Sequence, residues 1–178
     1  MRACIVIPCY NEAARLKRSE FTAFLHGTAD MDLCFVNDGS KDNSEEELRN
    51  LVATMPGRMF LVSYPDNQGK AEAVRRGMLH VAGLGVYGAV AFADADLATP
   101  LEEIKRLIGV FVQEKQTIMV MGSRIERMGI VIQRKLYRHF TGRIFAGIVS
   151  LMFRLNAYDT QCGAKVFASD IIQEAFAE

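Results

Sequence analysis

Five short apolar runs, separated by longer helical patterns, are the feature that most restricts how this chain can fold. Each run is dense in Val, Ile, Phe or Met and is too short to form a helix. Continuous apolar runs of this length are typical of strands in a sheet that is covered on both faces. The predicted strands are Cys4–Ile7, Leu33–Val36, Met59–Ser63, Ala89–Ala93 and Ile118–Gly122.

Four helix candidates alternate with these strands. Ser44 is followed by three glutamates, a pattern that predicts a capping box with acidic residues in the first helical turn. Thr99 is expected to cap the fourth helix, with Pro100 at its first helical position. The order of strands and helices predicts a single-domain α/β fold with a largely parallel sheet. The predicted helices are Glu12–His26, Ser44–Met55, Ala71–Leu84 and Thr99–Glu114.

The last third of the chain has a different pattern. Six basic residues lie within twenty positions, and they are Arg124, Arg127, Arg134, Lys135, Arg138 and Arg143. An apolar helix candidate, Phe140–Leu155, and a polar loop, Asn156–Gly163, follow them. The chain then reaches Glu178 inside another helical pattern, and we therefore expect it to be a fragment of a longer protein.

The length of 178 residues fits one domain, and 21 basic and 21 acidic residues give a formal net charge of zero. This balance gives no support for a nucleic-acid partner.

The first apolar run is too short for a signal peptide, and no stretch reaches the roughly 18 to 20 apolar residues of a spanning helix. The four cysteines, which form no CxxC pair, favour a reducing, cytoplasmic compartment, with Cys4 and Cys34 as small buried residues.

Polar residues follow every predicted strand. In an open α/β sheet, ligands bind beyond the carboxyl ends of the strands, so we expect these residues to meet at one edge. The five segments are Pro8-Cys9-Tyr10-Asn11-Glu12, Asn37-Asp38-Gly39-Ser40, Asn67-Gln68-Gly69-Lys70, Asp94-Ala95-Asp96 and Gly122-Ser123-Arg124.

Asp94 and Asp96 form the most informative of these segments, because two carboxylates directly follow an apolar strand. Divalent cations such as Mg²⁺ prefer oxygen ligands and usually take one or two carboxylates together with substrate phosphates. The pair therefore predicts a metal site, and the alternative is an ordinary turn or capping pair.

Three other charged residues have both a functional and a structural interpretation. Asp38 can accept hydrogen bonds from a base or ribose, or close an Asx-turn before Gly39. Glu12 can face the ligand or cap the first helix. Lys70 lies at a helix start, where a cation is unfavourable, so it indicates a phosphate or carboxylate partner rather than a merely solvated lysine.

Several common nucleotide-binding motifs are missing from the sequence. No GxGxxG follows the first strand, which argues against a dinucleotide-binding protein, and no GxxxxGK[ST] motif indicates a P-loop. The three histidines, His26, His80 and His139, are scattered and are interpreted as surface or structural residues.

The four motifs that end in Glu12, Ser40, Lys70 and Asp96 resemble, in this order, those of family 2 glycosyltransferases of the GT-A fold. The resemblance covers about residues 3 to 168. Within that family, the segment from Asp159 to Phe167 is similar to the corresponding segment of polyprenyl-phosphate sugar transferases. Its amino-acid sequence resembles that of the dolichyl-phosphate glucosyltransferase branch.

The resemblance implies a role for each matching residue. The residues expected to bind the nucleotide-sugar donor are Pro8, Tyr10 and Glu12 at the base, Asp38 at the base or ribose, Lys70 close to the nucleotide, and Asp94. Asp94 and Asp96 are expected to bind Mg²⁺ or Mn²⁺ with the donor diphosphate, and they form the catalytic set together with Arg124. The acceptor-side residues are expected to be Arg124, Arg134 and Arg138 at a phosphate, and Asp159 and Gln161 in a loop.

The resemblance further implies an inverting enzyme that moves a hexose, glucose from UDP-glucose, onto a polyprenyl phosphate such as dolichyl or undecaprenyl phosphate. Such an enzyme would serve cell-envelope glycan biosynthesis at the cytoplasmic face of a membrane, with Phe140–Leu155 at the membrane surface, at the prenyl chain, or in the core. The single domain would divide into a donor part, residues 1–123, and an acceptor part, residues 124–178.

Other functions are compatible with parts of the sequence. Some mannosyl-transferring members of the family carry a polar residue two places after the second aspartate, where this chain has Ala98, so the resemblance disfavours a GDP-mannose donor. The absence of tryptophan excludes the QxxRW motif of processive polysaccharide synthases. The alternatives that stay open are a GDP-mannose donor, a protein, saccharide or polysaccharide acceptor with Asp159 as base, a nucleotidyltransferase, and a non-catalytic nucleotide-binding domain.

Overall fold

A six-stranded sheet with helices on both faces forms the protein in the computed structural model, which describes residues 1–114, 117–122 and 164–176. The strand order across the sheet is β3-β2-β1-β4-β6-β5. The strands are β1 Ala3–Cys9, β2 Met31–Asp38, β3 Met59–Tyr64, β4 Ala89–Phe92, β5 Met119–Met121 and β6 Lys165–Ala168. The helices are α1 Arg18–His26, α2 Ser44–Ala53, α3 Lys70–Gly83, α4 Leu101–Gln113 and α5 Ile172–Ala175.

The first four strands are parallel to one another. β1 lies between β2 and β4, and β3 extends the sheet beyond β2. β6 runs antiparallel between β4 and β5. The predicted α/β fold with a mostly parallel sheet is therefore confirmed, and all five predicted strands are present. β6 was not predicted, because a run of four residues is too short to show a recognisable period.

The two faces of the sheet are buried by different helices. In β1, Ala3, Ile5 and Ile7 belong to one core, which also contains the apolar faces of α1, α2 and α4. Cys4 and Val6 belong to the other core, where α3 and α5 pack. Since successive side chains of a strand point to opposite faces, a strand covered on both sides must be apolar throughout.

Three of the four cysteines are buried thiols, as predicted for Cys4 and Cys34. Burial raises the pKa of the Cys34 thiol to about 12 and moves the pKa values of Cys4 and Cys9 well above the usual range. Cys162 lies outside the described residues.

The predicted start of α1 and the predicted cap of α2 are wrong because loop contacts replace them, whereas α2 begins at Ser44 as predicted. α1 begins at Arg18 rather than Glu12. The backbone N–H groups of Glu12 and Ala13 donate to Ser44 Oγ at 2.7 and 2.9 Å, which holds this stretch against the next loop. Because Ser44 Oγ is used in this way, the predicted capping box does not form, and Asn43 is the N-cap of α2.

The start of α4 differs from the prediction by one residue. The helix begins at Leu101, and Pro100 is its N-cap instead of its first helical residue. Glu103 N–H donates to the Pro100 carbonyl at 3.0 Å, so the proline carbonyl begins the helical hydrogen bonding. The helix candidate Phe140–Leu155 lies outside the described residues. None of the helices in the described ranges combines the length and apolar character that crossing a membrane requires.

A buried carboxylate joins the strands at the amino edge of the sheet. Asp32, at the start of β2, accepts hydrogen bonds from Arg2 Nη2 at 2.6 Å, Arg58 Nε at 2.7 Å and Tyr87 Oη at 2.9 Å. Arg58 also donates to the backbone carbonyls of Thr28 and Met31. Since removing one partner of a buried ion pair is costly, this cluster fixes the relative positions of the segments that carry these side chains.

α3 packs directly on the sheet at Gly77. A methyl group at this position would lie 2.5 Å from Val6 Cγ1 and 2.7 Å from Val36 Cγ2. Both distances are far below van der Waals contact, so only glycine allows the helix to lie this close to β1 and β2.

We expect Gly77→Ala to reduce the free energy of unfolding by about 1 to 2 kcal/mol, because overpacking outweighs the gain in helix propensity. Gly109→Ala is the matched control, since that glycine lies in α4 and a methyl group there would have no neighbouring atom within 4 Å. The control should raise the stability by about 0.5 to 1 kcal/mol. Urea denaturation measures both, and equal effects of the two substitutions would contradict the packing argument.

Candidate active site

A pocket of about 340 Å³ lies at the carboxyl ends of β1 and β4. The strand order reverses between these two strands, with β2 and β3 on one side and β6 and β5 on the other. Such a switch point is where open α/β sheets bind ligands. Its lining consists of Pro8, Cys9, Tyr10, Glu12, Asp38, Asn67, Gly69, Lys70, Ala73, Asp94, Ala95 and Asp96.

This pocket brings together all seven predicted donor and metal residues that lie within the described ranges. They come from four separate segments of the chain, and they are Pro8, Tyr10, Glu12, Asp38, Lys70, Asp94 and Asp96. Asn67 and Ala73 also line the pocket, although neither was predicted as a site residue. The individual roles of these residues stay predictions, but their convergence on one edge is now a structural fact.

The two aspartates lie in a tight turn directly after β4. Leu97 N–H donates to the Asp94 carbonyl at 3.0 Å, which closes the turn. Ala95 and Leu97 are buried in the core, whereas Asp94 is partly exposed and Asp96 is exposed. Anchoring alternate residues in the core therefore directs both carboxylates to the pocket. Asp96 Oδ1 accepts a hydrogen bond from Ala98 N–H at 2.9 Å.

Lys70 is the first residue of α3, and its ammonium group pairs with Asp94. Nζ lies 2.5 Å from Asp94 Oδ1. This contact confirms the prediction that a cation at this helix start has an anionic partner, here a carboxylate. It also shows that the pocket attracts a positive charge to the position where a metal ion is predicted.

The Asp38 carboxylate fixes the loop that precedes Lys70. Its two oxygens accept hydrogen bonds from Gln68 N–H at 3.0 Å and from Gly69 N–H at 2.9 Å. The side-chain amide of Asn67 donates to the Asp38 carbonyl at 3.2 Å. The alternative of an Asx-turn at Asp38 is wrong, because its carboxylate reaches across to another loop, and Ser40 N–H is bound by Asn37 instead.

Gly39 permits this close approach of the two loops. It has a φ of +62°, and a Cβ there would lie 2.5 Å from the backbone nitrogen of Asn67. Any other residue would clash with backbone atoms that cannot move away, so the glycine of the Asn37–Ser40 motif is required by geometry.

Asn11 joins the loop that carries Tyr10 and Glu12 to the loop after β2. Its N–H donates to Ser40 Oγ at 3.0 Å, and its side-chain oxygen accepts from Lys41 N–H at 2.8 Å. Its φ of +53° is a conformation that asparagine tolerates better than most residues. Neither Asn11 nor Ser44 was predicted to position the site. For Asn11 a signal was present in the sequence, because it is a polar residue that tolerates positive φ within a strand-end motif.

Two further lining residues have defined surroundings. Tyr10 is 41% exposed, so its ring is available to a ligand. Glu12 pairs with Arg15 at 2.9 Å, and since α1 starts six residues later, the helix-capping alternative for Glu12 is wrong. The Cys9 thiol faces desolvation and the charge of Glu12, both of which raise its pKa, so it is not a ready nucleophile.

The donor set fits a hard divalent ion. Four carboxylates but one ammonium group line the pocket, and the carboxylates are Glu12, Asp38, Asp94 and Asp96. Asp94 and Asp96 supply oxygen ligands from one turn, and no group of three or more potential ligand side chains occurs among the described residues. An ion here must complete its coordination with water or ligand oxygens, which is typical of Mg²⁺ bound together with phosphates.

A second cavity, of about 520 Å³, lies at the opposite edge of the sheet. It includes Tyr87, Ile118 and Asp170, and none of the predicted site residues line it. The acceptor-side residues predicted from sequence, Arg124, Arg134, Arg138, Asp159 and Gln161, lie outside the described residues, so their placement stays a prediction.

The model of the family "Glycosyl transferase family 2" matches residues 4–176 of this chain. The chain belongs to glycosyl transferase family 2. The family predicted from the four strand-end motifs is thereby confirmed.

Curated relatives and solved structures agree with this membership. The dolichyl-phosphate beta-glucosyltransferase ALG5C of Trichomonas vaginalis is 32% identical over 183 residues, which cover 96% of this chain and 53% of the relative. The dolichyl-phosphate beta-glucosyltransferase of Saccharomyces cerevisiae is 29% identical over 192 residues, covering 97% and 56%. The chain thus spans about half the length of these relatives.

Glucosyl-3-phosphoglycerate synthase from Mycobacterium tuberculosis, in complex with Mn²⁺, UDP and glucosyl-3-phosphoglycerate, has a similar structure. The TM-score is 0.67 at 18% identity, covering 96% of this chain and 57% of that chain. At this identity the likeness shows the fold, and it confirms the predicted GT-A architecture.

We expect Asp38→Asn to reduce the free energy of unfolding of the ligand-free protein by about 1 to 3 kcal/mol. The amide has one acceptor oxygen, so one of the two loop N–H groups would face an amide N–H₂ instead. Asp66→Asn is the control, because Asp66 lies in the same loop and is exposed. Thermal or urea unfolding measures the difference, and an Asp38→Asn protein as stable as the control would show that these two hydrogen bonds do not hold the loop.

Proposed function

We propose that this protein is an inverting glycosyltransferase that moves glucose from UDP-glucose onto a polyprenyl phosphate, such as dolichyl or undecaprenyl phosphate. The switch-point pocket supplies the donor site, and the similarity to two dolichyl-phosphate beta-glucosyltransferases supports the sugar and the acceptor class. Both relatives are about twice as long as this chain, so its transfer activity and substrates are proposals.

The observation that carries the proposal is the charge of the pocket. A nucleoside diphosphate is an anion, and the described lining offers four carboxylates and a single ammonium group. Such a pocket repels a diphosphate until a cation reverses the local charge. Asp94 and Asp96 are therefore the residues that would hold Mg²⁺ or Mn²⁺, which when bound stabilises the charge that the leaving diphosphate acquires.

The other lining residues suit the nucleoside. Tyr10 presents an exposed ring on which a base can stack, and Pro8 gives an apolar surface beside it. Asp38 has two carboxylate oxygens, each of which has a second lone pair for a base or ribose donor. Glu12 lies at the same end of the pocket, where its charge is partly balanced by Arg15.

The proposed reaction is a single displacement at the anomeric carbon. An oxygen of the acceptor phosphate forms the new bond as the bond from that carbon to the donor diphosphate breaks, and the diphosphate leaves with the electron pair. A phosphate acceptor is already ionised near neutral pH, so no general base has to remove a proton. Arg124, Arg134 and Arg138 would bind the acceptor phosphate, because guanidinium groups contact phosphate oxygens in pairs, and Arg124 would complete the catalytic set.

In this proposal the chain divides into a part that binds the donor and a part that binds the acceptor. Residues 1–123 form the donor part and residues 124–178 the acceptor part, in which Asp159 and Gln161 belong to the acceptor-side loop. A lipid acceptor implies contact with a membrane surface, which we propose to be its cytoplasmic face. Phe140–Leu155 is the segment proposed to contact that surface or the prenyl chain.

We expect UDP with Mn²⁺ to raise the melting temperature by about 5 to 10 °C at ligand concentrations near 100 times Kd, and UDP with EDTA to raise it far less. Asp96→Asn should lose the metal-dependent part of this shift, because one of the two carboxylate ligands is gone. Asp30→Asn, an exposed aspartate before β2, is the control. A full shift in the Asp96→Asn protein would remove the basis for the metal site, and GDP, CDP and dTDP in parallel test the choice of base.

With UDP-glucose and Mn²⁺, we expect glucose transfer to a polyprenyl phosphate in detergent and none to soluble saccharides, as measured by separation of the labelled lipid product. The reason is that an ionised phosphate needs no base, whereas a sugar hydroxyl does. Turnover with a saccharide alone would contradict the acceptor assignment and would favour Asp159 as a base. Nucleotide binding without turnover on either acceptor would favour a non-catalytic domain.

A further inference from the structure

A positive charge already lies at one of the two carboxylates proposed to hold the metal ion. Lys70 Nζ contacts Asp94 Oδ1 at 2.5 Å, while the Lys70 and Asp94 side chains are 61% and 27% exposed. An ammonium group and a divalent ion on the same carboxylate would lie at a range where like charges repel each other. We therefore expect a metal ion that takes Asp94 as a ligand to displace the ammonium group of Lys70.

The main chain of Lys70 is held in place while its side chain is free to turn. The Asp38 carboxylate holds the backbone of Gln68 and Gly69, the two residues directly before Lys70. Glu72, two residues further along α3, is the carboxylate that could compete for the Lys70 ammonium group. It is already paired with Arg75 and Arg76 at 2.8 and 2.6 Å, and these hydrogen bonds lower its pKa to about 2. The exposed lysine stem can therefore reorient within the pocket without a change in the fold.

We propose that Lys70 is an exchangeable cation, which leaves Asp94 when the divalent ion binds and then contacts the diphosphate of the donor. This inference rests on the proposed function of the same pocket. Lys70 lines the same pocket as Asp94 and Asp96, where the diphosphate is proposed to bind, and among the described lining residues its ammonium group is the one cation that can move to the anion. The exchange couples the two ligands, because metal binding releases the group that strengthens nucleotide binding.

The exchange gives Lys70 opposite effects on two equilibria. The exposed ion pair opposes binding of the metal alone by about two- to fivefold in affinity. A charge-assisted hydrogen bond to the diphosphate favours nucleotide binding in the presence of metal by about tenfold or more. A residue that only supports the fold would shift both affinities in the same direction, so the two signs distinguish the roles.

The test is calorimetric titration of Lys70→Met with Mn²⁺ alone, and with UDP at saturating Mn²⁺. We expect the variant to bind Mn²⁺ about two- to fivefold more tightly than the wild type and UDP about tenfold more weakly. Lys70→Arg keeps the charge and should restore both affinities towards the wild-type values. Lys105→Met is the control, since Lys105 lies on α4 and contacts Glu102 and the Gly27 carbonyl away from the pocket.

The outcomes separate this inference from the proposed function. If Mn²⁺ strengthens UDP binding in the wild type and Lys70→Met leaves both affinities within the range of the Lys105→Met control, the exchange is wrong and the donor site stands. Weaker binding of both Mn²⁺ and UDP would equally overturn the exchange. If the wild type shows no coupling between Mn²⁺ and UDP, the donor site itself is wrong, and the exchange fails with it.

Discussion

The site depends on the Asp38 carboxylate, which joins the end of β2 to the loop before α3 through two backbone hydrogen bonds. Asp38 is 3% exposed, and both loop N–H groups lie within 3.0 Å of its oxygens. A buried carboxylate without such donors would be costly. The contact therefore satisfies the Asp38 carboxylate, and it sets the position from which Lys70 reaches Asp94.

A second buried aspartate at the other end of β2 shows how position decides function. Asp32 is saturated by side chains, namely Arg2, Arg58 and Tyr87, and it holds the amino edge of the sheet. The Asp38 carboxylate accepts from the backbone N–H groups of Gln68 and Gly69 and lies at the carboxyl edge, beside the pocket. Asp32 and Asp38 are the two acidic residues of β2, so residue type alone does not distinguish their roles. The direction of the strand does, because ligands of an open α/β sheet bind beyond its carboxyl edge, where Asp38 lies.

The fold was predictable from sequence because burial on both faces forces the central residues of β1, β2 and β4 to be apolar. The convergence of Asp38, Lys70 and the two later aspartates followed from the same rule, since parallel strands deliver their ends to one edge. What sequence could not supply was the partner of each polar group. Ser44 illustrates the difficulty, because the same residue suits a capping box or a contact with the Glu12 loop, and only the packing of the two loops selects one.

The turn that carries Asp94 and Asp96 has backbone strain that burial offsets. Leu97 has a φ of +53°, an unfavourable conformation for a residue with a branched side chain. Such a conformation costs on the order of 1 to 2 kcal/mol, whereas burying a leucine side chain contributes about 1.5 to 3 kcal/mol. A glycine would adopt this φ without strain but would lose the anchor, since Leu97 is 7% exposed within the core. The hydrophobic core thus holds Asp94 and Asp96 at the pocket, which explains why an apolar residue directly follows this pair of aspartates.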